Sequence, residues 1–549
     1  MCKAYNFGIL LFSAVLVALV ADGASSSPEA LNELPYATGD SFRSLLRWLD
    51  EVSSNNAMVT WGDKTRPPSR FFRDVANQHL EMRNNHGHRG VFVTSPTSSA
   101  ASQAMVAVPT KSLMSPASAR DGTRSEPLAS LLNKTEMAAS ESEAPLEPLA
   151  ILVAHLMCEL SKHDLSPTGS FWGPYLDTLP VGEGTVLDSP LNWPDEVLNG
   201  SPSLMEHVHV LRARRGDIQS LLEVRLGFGS HMPNGCSGGG WRGGQTFQEA
   251  FDESYFLAIS RKASSLPLEL TADGHGSNGA GKTNDNVANM TYEVMTPLLD
   301  LLNHRREGGG RYTLLYASAG DVLGLGMLAP PGKGLQAGDE IWHDYEAGWT
   351  TEAADGAGVC YYELLANYGF VPLDSTERSA NRACALLPWV GSVRLSDASG
   401  TLRDGRVLDL CTGKTPVVSS NGAQLSDALQ WEIEHDLAAI DGILSSGTDN
   451  ESRLDEEEER GECVADIEMC TLAKAATQHT QTRRKLVRQV AEGEALVLRA
   501  LHESCAVKQA IRKDTNRLPD SGTAKSRKRR SAGANKKTSK KAKQRNQSE

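Results

Sequence analysis

The chain has 549 residues, 40% hydrophobic and 22% charged, a composition that excludes a wholly disordered chain and suits about two to four domains around a sizeable core. The formal net charge is −13, yet the stretch Lys525–Arg545 carries eleven Lys or Arg and no acid, so the remainder stands at −24. An acidic body argues against that body gripping nucleic acid and suits a basic target such as a Lys-rich protein surface; a solvated acidic surface is the plainer alternative. The nine cysteines are scattered with no C-x-x-C pair, so no zinc-ligand spacing appears and no metal is expected, while disulfides are left open.

Lys3 precedes an apolar run from Gly8 to Val20, followed by small residues to Ala24. That order reads as a secretory signal peptide over 1–24, with an uncleaved anchor as the alternative. The run is too short to span a bilayer, and no later segment is long and apolar enough for a membrane span. Ser41–Val52 reads as a helix with Phe42, Leu45, Leu46 and Leu49 on one face. Gly90–Thr94 and Ala104–Val108 read as strands, and Pro116–Pro145, rich in Ser, Ala and Pro, reads as a loop. Leu149, Leu152, Val153, Leu156, Met157 and Leu160 then define a helix apolar almost all round, hence buried.

Two glycine-rich stretches, Gly227–Gly244 and Gly274–Asn284, read as surface insertions, with a helix over Phe247–Ser264 between them. Arg311–Ser318, Val322–Leu328 and Gly338–Tyr345 read as strands. Beyond residue 380 the pattern turns helical. Leu429, Ile433, Leu437, Ile440 and Leu444 share one face, and Leu486, Val490, Val497 and Leu501 another, with the acidic run Asp455–Glu459 between them. The basic end, with almost no large apolar residue, is expected to be disordered over 513–549. It also fits a nuclear import signal or a nucleic-acid contact, which conflicts with a secretory address. The expected location is therefore the secretory pathway, or a plastid reached through it, if the signal works, and otherwise the nucleus.

Gly276-Ser277-Asn278-Gly279-Ala280-Gly281-Lys282-Thr283 fits the phosphate-loop pattern. It lacks the buried strand before it and the helix after it that would aim backbone N–H groups at phosphates, so it reads as a chance match.

A second set of residues is ordered along the chain. It comprises Gly87-His88-Arg89-Gly90-Val91; Ser170-Phe171-Trp172-Gly173-Pro174-Tyr175-Leu176-Asp177-Thr178-Leu179-Pro180; Ile259-Ser260-Arg261; Pro297-Leu298-Leu299-Asp300-Leu301-Leu302-Asn303-His304; Gly338-Asp339-Glu340-Ile341-Trp342-His343-Asp344-Tyr345; and Glu363-Leu364-Leu365-Ala366-Asn367-Tyr368-Gly369-Phe370. Each block is weak alone. In this order and spacing they resemble the SET domain methyltransferases, in particular the split-SET branch typified by Rubisco large-subunit lysine methyltransferase. The resemblance covers about 40–373, and more loosely 380–512.

That resemblance implies an α+β fold: a β-rich SET domain over 40–373 with a helical insertion over about 145–290, then an all-α, substrate-binding domain over 380–512. It implies S-adenosyl-L-methionine as cofactor and a protein substrate presenting a lysine. It places Arg89, Gly90 and Val91 in a glycine turn near the cofactor. Arg261 would grip the cofactor carboxylate, and Asp300, Asn303 and His304 would form the adjoining segment, with His304 contributing backbone rather than acid–base chemistry. Tyr345 and Tyr368 would be the catalytic tyrosines, orienting the attacking amine and the methyl. Two alternatives stay open: a protein-histidine methyltransferase, and a SET fold with degraded catalysis that serves as a binding module.

Overall fold

The computed structural model describes the chain between residues 39 and 503, with gaps of which the longest are 267–291, 395–430 and 446–478. The expected signal stretch, the Gly276–Thr283 loop, the acidic run and the basic tail lie outside the described residues. No helix among the described residues is long and apolar enough to cross a membrane.

The first helix, α1 (Gly39–Val52), buries Phe42, Leu45, Trp48 and Leu49, one stripe at helical spacing. Short antiparallel pairs follow: β1 (Val59–Trp61) with β2 (Lys64–Arg66), and β3 (Leu80–Asn85) with β4 (His88–Val93). Val91 and Val93 of β4 face inward with no exposure. β5 (Ala104–Pro109) forms the edge of a three-stranded antiparallel sheet with β9 (Arg311–Tyr316) and β10 (Val322–Leu328), with β10 in the centre.

The expected loop over Pro116–Pro145 is corrected: it contains α2 (Pro116–Ala119) and α3 (Glu126–Ala138). The Ser, Ala and Pro that suggest a loop act instead as helix starters. Ser115 and Ser118 form a reciprocal capping box, and both helices open on a Pro in the first turn. Leu128, Ala129 and Leu132 of α3 share its buried face.

The apolar helix is α4 (Pro148–Leu165), buried continuously from Leu149 to Ser161. Two of its buried polar side chains, Glu159 and His155, have buried partners. Glu159 accepts from Ser125 Oγ (2.9 Å), Ser170 Oγ (2.6 Å) and Lys162 Nζ (2.7 Å), and His155 Nε2 lies 2.9 Å from Ser125 Oγ. Two short helices, α5 (Gly173–Leu176) and α6 (Asp195–Leu198), lead to the long α7 (Pro202–Leu226), which starts where Ser201 Oγ accepts the Leu204 N–H at 3.2 Å. The next helix, α8 (Phe247–Arg261), opens on a Thr246–Glu249 capping box and ends directly in β6 (Lys262–Leu266), which pairs with β7 (Tyr292–Met295).

The reading of Gly227–Gly244 as a surface insertion is also corrected. Phe228, Met232 and Trp241 are buried, and Cys236 is disulfide-bonded to Cys158 in α4. Anchors placed among the glycines hold this stretch to the core. The expected strand over Gly338–Tyr345 shrinks to β11 (Trp342–His343), pairing in parallel with β8 (Asn303–His304), plus one bridge from Glu340 to Phe92. Gly338 adopts φ 91°, and Asp339 accepts the Gln336 N–H at 2.8 Å, so a turn takes the first half of that span.

α9 (Tyr361–Tyr368) is capped by Glu363, which accepts the Cys360 N–H at 2.9 Å. The expected all-α character beyond residue 380 is corrected by a hairpin of β12 (Cys384–Leu387) and β13 (Gly391–Arg394). The apolar run there is too short for a helix, and the Cys360–Cys384 disulfide ties it to the start of α9. Two helices, α10 (431–445) and α11 (479–503), pack on the hairpin. Ile433, Ile440, Val497, Leu498 and Leu501 meet Ala385, Leu387 and Val393 in a second core.

Glu494 of α11 is buried against the main body and joins the two cores. It accepts from Ser201 Oγ (2.6 Å), from the Ser203 N–H (3.0 Å) and from Ser203 Oγ, and Ser203 Oγ in turn accepts the Leu386 N–H (2.7 Å). Burial pushes the Glu494 carboxyl up to about 7 despite those donors.

The two disulfides close loops with sequence separations of 78 and 24, each able to contribute about 3–4 kcal/mol by restricting the unfolded chain. Replacing Cys158 and Cys236 together by Ser should lower Tm by roughly 5–10 °C in scanning calorimetry. An unchanged Tm would mean that the bridge contributes no stability.

Candidate functional site

The site forms where a short turn crosses the sheet fragments. β7 ends at Met295, and Leu298 then adopts φ 74° while fully buried, an uncommon conformation for a leucine that its surroundings must hold. A 3-10 turn over Leu299–Leu301 follows and leads into β8. The crossing with β11 is close. Arg305 N–H donates to the His343 carbonyl (3.0 Å), and Gly310 N–H to the Trp342 carbonyl (2.7 Å). A Cβ on Gly309 would stand 2.0 Å from the Arg305 carbonyl oxygen and 2.7 Å from the Asp344 nitrogen, so only glycine fits there without backbone movement.

Residues 300–304 contact most of the residues the sequence singles out. Arg261, the last residue of α8, donates from Nη1 to the Asp300 carbonyl at 3.0 Å. The Asp300 carboxylate accepts the Tyr175 hydroxyl. The Leu302 carbonyl accepts the Tyr345 hydroxyl at 2.8 Å. Asn303 Nδ2 donates to the Arg89 carbonyl and to Glu340 Oε1, both at 2.7 Å. His304 Nδ1 accepts the Tyr345 N–H at 3.1 Å, and the two rings lie 4.9 Å apart.

The remaining candidates sit close by. Tyr368, at the end of α9, packs against Tyr345 with ring centroids 5.1 Å apart and the planes tilted by 45°. Arg89 reaches the other way, from Nη1 to the Thr178 carbonyl at 2.6 Å. Gly90 is needed for close packing: a Cβ there would meet Glu340 Oε1 at 2.3 Å and Asn303 Nδ2 at 3.2 Å. Val91 stands apart. Its side chain is in the core, and its carbonyl accepts the Ile341 N–H at 2.8 Å.

Other residues complete the site without having been singled out. Tyr312 packs on His343 at 4.1 Å, His343 on Tyr345 at 4.9 Å, and Phe370 on His304 at 5.9 Å. Tyr175, His343 and Phe370 lie inside the sequence blocks quoted above. Tyr312 lies in a strand whose pattern marks it only as a core residue.

Burial sets the electrostatics. It raises the pKa of Tyr312, Tyr345 and Tyr368, so their hydroxyls stay protonated. It drives His343 down to about 3, with the neighbouring His304 acting in the same direction, so that imidazole is neutral near pH 7. The three phenols and the His343 imidazole at the aromatic end are thus uncharged near pH 7. At the other end burial pushes Asp300 up to about 6, against the pull of Arg261, the Tyr175 hydroxyl and Arg89. Arg261 Nε and Asp300 Oδ1 are buried without a hydrogen-bond partner. A buried donor on a cation and a buried acceptor on a carboxylate, both open, are what a zwitterionic ligand end would fill. No cluster of His, Cys, Asp and Glu among the described residues could hold a metal ion.

The His343 shift has a consequence for stability. The folded chain refuses a proton that the unfolded chain takes up below pH 6.5, so stability falls as pH drops from 6.5 toward 3. Asp300 acts oppositely, because the folded chain keeps its proton up to about pH 6. His343→Gln should therefore flatten the acid limb of stability by about 2 kcal/mol at pH 5, read from urea unfolding at pH 7 and pH 5. An unchanged limb would show that His343 is not held neutral.

No family model matches the chain, and no curated protein matches it. Solved structures do. One is Rubisco LSMT bound to sinefungin and monomethyllysine, with 14% identity, 89% of this chain and 97% of that chain covered, and a TM-score of 0.46. Another is the SET domain of LSMT bound to lysine and AdoHcy, with 15% identity, the same coverages and a TM-score of 0.44. Both TM-scores lie below 0.5, so the likeness is loose and the functional reading stands on the geometry above.

Proposed function

We propose that this chain is an S-adenosyl-L-methionine-dependent protein-lysine N-methyltransferase of the split-SET type. In this reading residues 40–373 form the catalytic domain, with a helical insertion over about 145–290, and 380–512 form the substrate-binding domain. The observation that carries it is the Asp300–His304 segment. One short stretch holds a cation with an open donor, Arg261, at one end and the Tyr345 hydroxyl at the other, with the Tyr368 ring packed beside it.

When bound, S-adenosylmethionine supplies an electrophilic sulfonium methyl group. The chain's own residues do the rest. Arg261 Nε would take the ligand carboxylate as a charged pair. Asn303, Gly90 and Arg89 fix the adjoining strand by the contacts already described. Free lysine has a pKa of about 10.4, so presenting it neutral near pH 7 costs about 4–5 kcal/mol. Aromatic surroundings in which the His343 imidazole and the phenols carry no charge would lower that cost by disfavouring the ammonium form. Tyr345 uses its hydrogen on the Leu302 carbonyl and keeps its oxygen lone pairs for an N–H donor. The Tyr368 hydroxyl makes no hydrogen bond among the described residues, which leaves it available to orient the amine. Positioning and fixed dipoles would supply most of the rate.

The two disulfides among the described residues, both buried, fit a chain that folds in an oxidising compartment, which favours the expected N-terminal signal over the nuclear address suggested by the basic tail.

The test is incubation of the full chain with methyl-labelled S-adenosylmethionine and a protein mixture, with tandem mass spectrometry of labelled products. Methyl on a lysine Nζ is expected, and Tyr368→Phe should lower kcat by about 10- to 100-fold with cofactor binding retained. Methyl on imidazole would replace lysine by histidine as acceptor. Cofactor binding without label on any protein would favour a binding module instead.

A further inference from the structure

We propose that Tyr175 is a positioning residue of the donor pocket: its hydroxyl clamps the Asp300 carboxylate and so holds the 298–304 turn in the form that presents Arg261 and Tyr345. The proposal rests on the methyltransferase reading and adds a residue to which no cofactor or substrate role is otherwise given.

Three observations carry it. First, Tyr175 is set rigidly. It is fully buried, its N–H donates to the Trp172 carbonyl at 2.8 Å, and Trp172 Nε1 is itself bonded to the Ser112 carbonyl at 3.0 Å. Second, the same short segment supports both sides of the pocket. The Tyr175 carbonyl accepts Thr178 Oγ1 at 2.6 Å, the Thr178 carbonyl accepts Arg89 Nη1 at 2.6 Å, and the Tyr175 hydroxyl donates to Asp300 Oδ2. Third, the turn it grips needs holding. Leu298 sits at φ 74° in the interior, and the main-chain carbonyl of Asp300 is the acceptor for Arg261. A fixed donor on the Asp300 side chain, together with Arg261 on its main chain, pins one residue from two directions. The second carboxylate oxygen, Oδ1, stays buried and open.

The charged and titratable groups around Asp300 come from five places: Tyr175 from α5, Arg261 from α8, Arg89 from β4, Tyr312 from β9, and Tyr345 from the turn just after β11. Burial raises the Asp300 pKa, and the Tyr175 bond lowers it. Removing that bond moves the pKa further up. The ionised clamp is then lost at a higher pH, and donor binding with it.

Tyr175→Phe keeps the ring and removes only the hydroxyl. In calorimetry with S-adenosylmethionine, Kd should rise tenfold or more at pH 7, and the acid limb of log Kd against pH should move to higher pH than in the unmodified chain. A role confined to packing would lower Tm and leave that limb where it is. Asp300→Asn should abolish the limb, and adding Tyr175→Phe to it should cause little further loss. The proposal is overturned if Tyr175→Phe binds with an unchanged Kd and limb, or if the two substitutions lose affinity independently. If the unmodified chain itself fails to bind S-adenosylmethionine, the methyltransferase reading falls instead.

Discussion

Asp300 is held from two sides, by a tyrosine hydroxyl on its carboxylate and an arginine on its carbonyl, and the site depends on that double grip. Within four residues of it, Leu302 anchors Tyr345, Asn303 anchors Arg89 and Glu340, and His304 receives the Tyr345 backbone. A buried leucine at positive φ just upstream is tolerable because these bonds overdetermine the path of the chain. Shifting the turn by one residue would move every one of those partners at once.

The surrounding architecture serves to place this turn. α8 ends at Arg261, which is both the last helical residue and the donor to Asp300. α9 ends at Tyr368, and its other end is tied by Cys360–Cys384 to the hairpin on which α11 packs. Glu494 bonds that helix to the start of α7. A continuous run of packed elements thus links the second core to a tyrosine of the site. The charge arrangement is equally uneven. Arg261 and Asp300 occupy one end, and the uncharged His343 imidazole and the phenols of Tyr312, Tyr345 and Tyr368 occupy the other.

Much of this was legible in the sequence, for identifiable reasons. α4 announces itself because Leu149–Leu160 is apolar on every face, and only burial explains such a helix. Arg261, Asp300, Asn303, His304, Tyr345 and Tyr368 stand in ordered blocks, and the structure brings them within one small region. Other features have no local signature. The helices in 116–138 are hidden by a composition that serves caps as well as loops. The Cys158–Cys236 pair joins residues 78 apart, which no spacing rule reveals. The role of Tyr175 depends on a partner 125 residues away, and that of Tyr312 on a ring contact across the sheet. Val91 shows what a block leaves open: it fixes a backbone position, while alternation along the strand turns the side chain into the core.

The central claim is that one turn organises a donor pocket, and hydrogen exchange tests it most directly. Amide exchange of the full chain should be followed with and without saturating S-adenosylmethionine. The account predicts slowed exchange concentrated at 299–304, 89–91 and 341–345. Saturation that leaves those three stretches unchanged, or protects only distant segments, would contradict it.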